Sequence, residues 1–129
     1  MTQRLTSLGV LTCLALAPLA VAAPAQAAWT PVVRIDGAKA LVCKAPLGDG
    51  RTRVKLRLDN RGADHTHLSG LSRTRGGQQA SVQVRAGAGQ VSGTTSLVWK
   101  RGDQLSTGIG EVTGEGAGTQ FLLGEVKRC

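Results

Sequence analysis

Asp64-His65-Thr66-His67 is the one stretch of this 129-residue chain whose residue types and spacing suggest metal chemistry. On extended backbone alternate side chains project to the same side, so His65 and His67 can reach a single Zn or Cu ion, with Asp64 or the terminal carboxylate as a harder ligand. A structural site takes four ligands, and the chain has no third histidine. The competing expectation is a pair of solvent-facing strand residues.

Other reactive constellations are weaker. A Ser-His-Asp device could draw on Ser69 or Ser72, either histidine, and Asp59 or Asp64, but no Gly-x-Ser-x-Gly elbow occurs. Asp36, Asp49, Asp59 and Asp103 fall in predicted turns, which accounts for them without a glycosidase-like carboxylate pair. With no tyrosine, one phenylalanine and two tryptophans, the chain lacks the rings for stacking on sugars or bases. Arg101-Gly102-Asp103 resembles the integrin-binding tripeptide of animal adhesion proteins and reads naturally as a hairpin turn. The glycines of residues 110–116 lack the lysine of a phosphate loop. No enzymatic activity and no cofactor are expected.

Binding chemistry has a clearer source. In residues 51–62, RTRVKLRLDNRG, Val54, Leu56 and Leu58 fall on one side of an extended strand and Arg51, Arg53, Lys55 and Arg57 on the other. The result is a cationic ridge that could follow a polyanion, with Arg73, Arg75 and Arg85 expected to extend it. On an edge strand such charges also block edge-to-edge aggregation. The net charge is +8. Nine cations lie between Lys44 and Arg85 against three aspartates, whereas residues 100–129 balance four against four. An anionic envelope polymer or protein partner fits that field; nucleic acid is not expected as the partner of an exported protein.

Export is read from the N-terminus. Arg4, the apolar run of residues 8–23 and Ala25-Gln26-Ala27 form a signal-peptide pattern, with cleavage expected after Ala27 and no transmembrane segment in the mature chain. Cys13 lacks a lipoprotein cleavage pattern. Residues 28–129 are one domain's worth of chain. Their two cysteines, Cys43 and Cys129, are expected to pair in an oxidising compartment, closing a loop across 86 positions.

The elements that must position these residues read as strands. Alternation places Trp29, Pro31, Val33 and Ile35 on one face, then a strand over 38–44, a breaker-rich loop over 45–50, the basic strand, a weaker strand over 65–71, a basic turn over 73–77, and strands over 78–85, 94–100, 105–112 and 119–127. Seven or eight short strands with no 3.6-residue apolar period predict an all-β antiparallel sandwich whose core uses Trp29, Trp99 and Phe121. The layout resembles the immunoglobulin-like sandwiches common among bacterial surface and secreted proteins, in strand count and length. The Cys-Trp-Cys spacing of antibody domains is absent. The leader and the Arg-, Ala- and Gly-rich composition are similar to small exported proteins of high-GC actinobacteria, a resemblance that carries no functional residues.

The expected function is therefore a secreted, non-enzymatic β-sandwich that binds an envelope partner through its basic face. The alternatives are a small secreted Cu/Zn-binding protein using His65 and His67, or an extracellular inhibitor presenting residues 46–50.

Overall fold

Alternating side chains and glycine-bearing turns give eight strands in a computed structural model that describes residues 28–112 and 114–129. The expected signal peptide and Cys13 lie outside the described residues. In chain order the strands are β1 (Thr30–Ile35), β2 (Ala38–Gly48), β3 (Arg51–Asp59), β4 (His67–Arg75), β5 (Gln78–Ala86), β6 (Thr95–Lys100), β7 (Gln104–Glu111) and β8 (Gly116–Phe121). A short 3-10 turn, Leu123–Glu125, follows.

The pairings between these eight strands are antiparallel and form two four-stranded sheets, β1-β2-β3-β6 and β5-β4-β7-β8. The protein is an all-β sandwich. Its likeness to immunoglobulin-like domains lies in two packed antiparallel sheets of short strands. The strand order is its own: β2 lies between β1 and β3, where the immunoglobulin constant order sets the second strand beside the fifth.

Inner residues of both sheets meet in one core. Ala38, Ala40, Val42, Val54, Leu56 and Leu58 come from the first sheet, and Leu71, Leu105, Ile109 and Phe121 from the second. Val54, Leu56 and Leu58 are fully buried, as their period-2 spacing requires. Cys43 and Cys129 are bridged, with Cα atoms 5.0 Å apart. The bridge holds the final segment beside β2, where Cys129 N–H donates to the Lys44 carbonyl and Lys44 N–H donates to the Lys127 carbonyl.

Several expectations are corrected. A register shift between Pro31 and Val33 moves Pro31 to the outer face while Val33 and Ile35 stay inside. Trp29 lies on the outside over Arg57, 4.5 Å from the guanidinium to the ring centroid, so it is absent from the core. The expected loop over 45–50 is mostly strand: β2 reaches Gly48 through a second register shift, and Asp49-Gly50 turns with φ of 54° and 69°. β4 runs on through Arg75, leaving Gly76 and Gly77, at φ of 53° and 80°, to make the turn. The expected last strand over 119–127 stops at Phe121. Leu122 is exposed, because consecutive apolar residues cannot all face inward on a strand.

Candidate functional site

Two features stand apart. The first is the outer face of the β1-β2-β3-β6 sheet. β3 contributes Arg51, Arg53, Lys55 and Arg57, with outer partners in register on both sides. Arg34 of β1 pairs with Lys39 of β2, Lys39 with Asp59, and Arg51 with Lys100 of β6. Register partners point to the same side of a sheet, so Arg34, Lys39 and Lys100 join the β3 ridge. The sequence reading missed these three because pairing register, not local alternation, brings them there.

Asp59 is the only acid at an outer strand position of this sheet among the described residues, and Arg61 grips it through hydrogen bonds of 2.9 and 2.8 Å. The Arg61 hydrogen bond holds the Asp59 carboxyl down at about 2, against the opposing effect of burial. The ridge is not uniform. Arg51 and Arg53 are exposed and Lys55 is half-buried, whereas Arg57 lies under Trp29 with its Nε buried.

Arg85, in register with Leu68 on the outer face of the other sheet, does not extend it, and neither do Arg73 and Arg75. These two share the parity of His67, Ser69 and Leu71, the inner side of β4, at its less buried C-terminal end. There they enclose the buried Asp103 carboxylate, with Arg75 Nε donating at 2.5 Å and Arg73 Nη1 at 3.5 Å. Burial pushes that carboxyl up, but the Lys100 backbone N–H and the two arginines outweigh it, and the net shift is downward. Asp103 thus anchors the β6–β7 turn to β4. Its side chain is fully buried, so Arg101-Gly102-Asp103 does not present its acid to a partner.

The second feature is at the end where the chain crosses from β3 to β4. His67 opens β4 and is fully buried on the inner side, contrary to the expectation of a solvent-facing residue. His65, in the crossing loop, is half-exposed, and the two rings lie 4.5 Å apart. Glu111, the last residue of β7, pairs in register with His67. Asp36 comes from the β1–β2 turn. One donor atom from each of Asp36, His65, His67 and Glu111 lies within 4.8 Å of every other.

Asn60, also fully buried, sets the orientation of His67. Its Nδ2 faces three carbonyl oxygens, of His65 at 2.8 Å, Ala86 at 3.1 Å and Gly87 at 2.9 Å, so this atom must be the amide nitrogen. Oδ1 then accepts from His67 Nδ1–H at 2.8 Å. In neutral His67 the lone pair is therefore on Nε2, which is buried without a hydrogen-bond partner among the described residues and 3.9 Å from Glu111 Oε1.

His65 sits between two carboxylates, Nδ1 at 2.5 Å from Asp64 and Nε2 at 2.6 Å from Glu111. The Asp64 hydrogen bond, then that of Glu111, raises the His65 pKa, and the hydrogen bond from His65 lowers that of Asp64. Asp64 points at His65 alone and is outside the four-residue cluster.

A backbone contact holds the β1–β2 turn, which carries Asp36, against the crossing loop. The β1–β2 turn packs on the crossing loop so tightly that a Cβ on Gly37, at φ 81°, would lie 2.0 Å from the Gly62 carbonyl oxygen. No known family, no curated protein and no solved structure matches the chain.

Proposed function

We propose that this chain is an exported, non-enzymatic binding protein that holds an anionic polymer, or a polyanionic protein partner, of the cell envelope against the outer face of its β1-β2-β3-β6 sheet. The supporting observation is the contrast between the two outer faces. One carries Arg34, Lys39, Arg51, Arg53, Lys55, Arg57 and Lys100 around a single neutralised aspartate. The other, lined by Leu68, Ser72, Gln83, Ser106 and Gln120, carries Arg85 as its one strand cation among the described residues.

Cations spaced on four adjacent strands form a plate rather than a ridge. A plate attracts an extended polyanion over several repeat units and requires no pocket. The Cys43–Cys129 bridge fits an oxidising compartment, as export demands. No helix of the described residues is long and apolar enough to cross a membrane.

The test is retention on an anionic matrix across a salt gradient. Arg51, Arg53 and Lys55 are the right residues to neutralise, since Arg57 also packs against Trp29. At roughly 1 kcal/mol per cation near an anionic surface, the triple change to Gln should weaken binding on the order of 100-fold. Arg53→Gln and Arg85→Gln remove equal charge from opposite faces; equal losses from the two would overturn the assignment to this face.

A further inference from the structure

The histidine–carboxylate cluster lies on the edge of the molecule reached by the β1–β2 turn, the crossing loop and the end of β7, and its chemistry differs from that of the cationic plate. We propose that Asp36, His65, His67 and Glu111 form a binding site for a borderline divalent transition-metal ion of the Zn(II) kind.

The orphaned nitrogen carries the inference. A buried polar atom without a partner costs free energy, and buried side-chain nitrogens are ordinarily hydrogen-bonded. His67 Nε2 lacks one among the described residues, while its other nitrogen is clamped by Asn60. A metal-ligating histidine has this arrangement: one nitrogen donates to a fixed oxygen, which sets the tautomer and aims the other lone pair at the ion. Asn60 is in turn held by three carbonyls, one from the crossing loop and two from the end of β5 and the residue after it, so the imidazole is oriented before any ligand arrives.

The donor set selects the metal class. Two imidazole nitrogens and two carboxylates suit Zn(II) or Cu(II), whereas Ca(II) and Mg(II) favour all-oxygen shells. Bonds of 2.0–2.2 Å at tetrahedral angles put neighbouring donors about 3.3–3.6 Å apart. His67 Nε2 and Glu111 Oε1, at 3.9 Å, are near that spacing. His65 Nε2 and Glu111 Oε1, at 2.6 Å, share a hydrogen that the metal would replace, so this pair must open by about 0.8 Å. Both residues have room to do so: His65 is 41% and Glu111 24% exposed at the side chain.

Zn(II) titration of the purified full-length chain by calorimetry tests the site. The expected result is one ion per chain with a dissociation constant of micromolar or tighter. His67→Ala removes a buried side chain and is a poor probe, so the variants are His65→Ala and Glu111→Gln, both at the surface end of the cluster, with circular dichroism reporting the fold. Each should weaken Zn(II) at least tenfold while leaving the strand signal intact. An independent readout is the imidazole nitrogen NMR spectrum: His67 should show the Nδ1–H tautomer without metal and a shifted Nε2 resonance with it. Binding weaker than micromolar, unchanged affinity in both variants, or an Nε2–H tautomer of His67 would each overturn the proposal.

Discussion

Asp59 stands at the end of β3 with its carboxylate held by Arg61, and the pair shows how one residue can serve a turn and a charge pattern together. Arg61 neutralises the only outer-strand acid of the plate among the described residues, and its backbone N–H also donates to Asp59 Oδ1 across Asn60. Because Asp59 titrates at about 2 when folded and near 3.8 when unfolded, the folded state binds fewer protons between those values. Its contribution to stability is complete above the unfolded value and is lost as pH falls through about 2. Asp103, also lowered, acts in the same direction. Unfolding midpoints in urea should therefore fall between pH 4 and pH 2, and Asp59→Asn should flatten the part of that decline due to Asp59. A decline of the same steepness in the variant would assign the acid sensitivity to other groups.

At the scale of elements, the β1–β2 turn and the crossing loop depend on each other. Gly37 needs both its positive φ and its missing Cβ, since any side chain meets the Gly62 carbonyl. Gly37→Ala should lose about 1–3 kcal/mol from the backbone conformation alone, with the collision adding to it, read as a lower urea midpoint at an unchanged slope. A variant as stable as the parent would mean that the two segments separate freely. This contact was not legible in the sequence. Asp36-Gly37 is recognisable as a turn, but which loop it touches depends on the sandwich closing. β4 gives a parallel case: period 2 predicted His65 and His67 on one side of a strand, whereas the strand begins at His67, which the sheet pairing turns inward, and His65 stays in the loop before it.

On the scale of the whole molecule, the Cys43–Cys129 bridge is a covalent tie between the chain's end and the β1-β2-β3-β6 sheet. It closes 86 residues and fixes the terminal segment against β2. The chain-entropy model assigns such a loop about 4–5 kcal/mol, comparable to the entire stability of a small domain. Unfolding with and without reductant should differ by most of that amount, checked by denaturant midpoints on protein of known thiol content. Coincident curves would place the stabilising weight on the core instead. The same view of the molecule separates its two candidate activities, since the plate occupies a sheet face and the histidine cluster a crossing at the sandwich edge.

The amino-acid order alone determined the β class, the sidedness of β3 and the choice of sulfur partners, because side-chain alternation, turn-forming glycines and a single pair of thiols in the expected mature chain are local or countable properties. Tertiary structure decided the rest. Arg34, Lys39 and Lys100 reach the β3 ridge only through register, Arg73 and Arg75 turn inward to Asp103, and Glu111 and Asp36 meet the histidines across dozens of residues. Such meetings depend on which strand edges pair and which faces pack, and those are settled by the burial of the core as a whole rather than by any one segment.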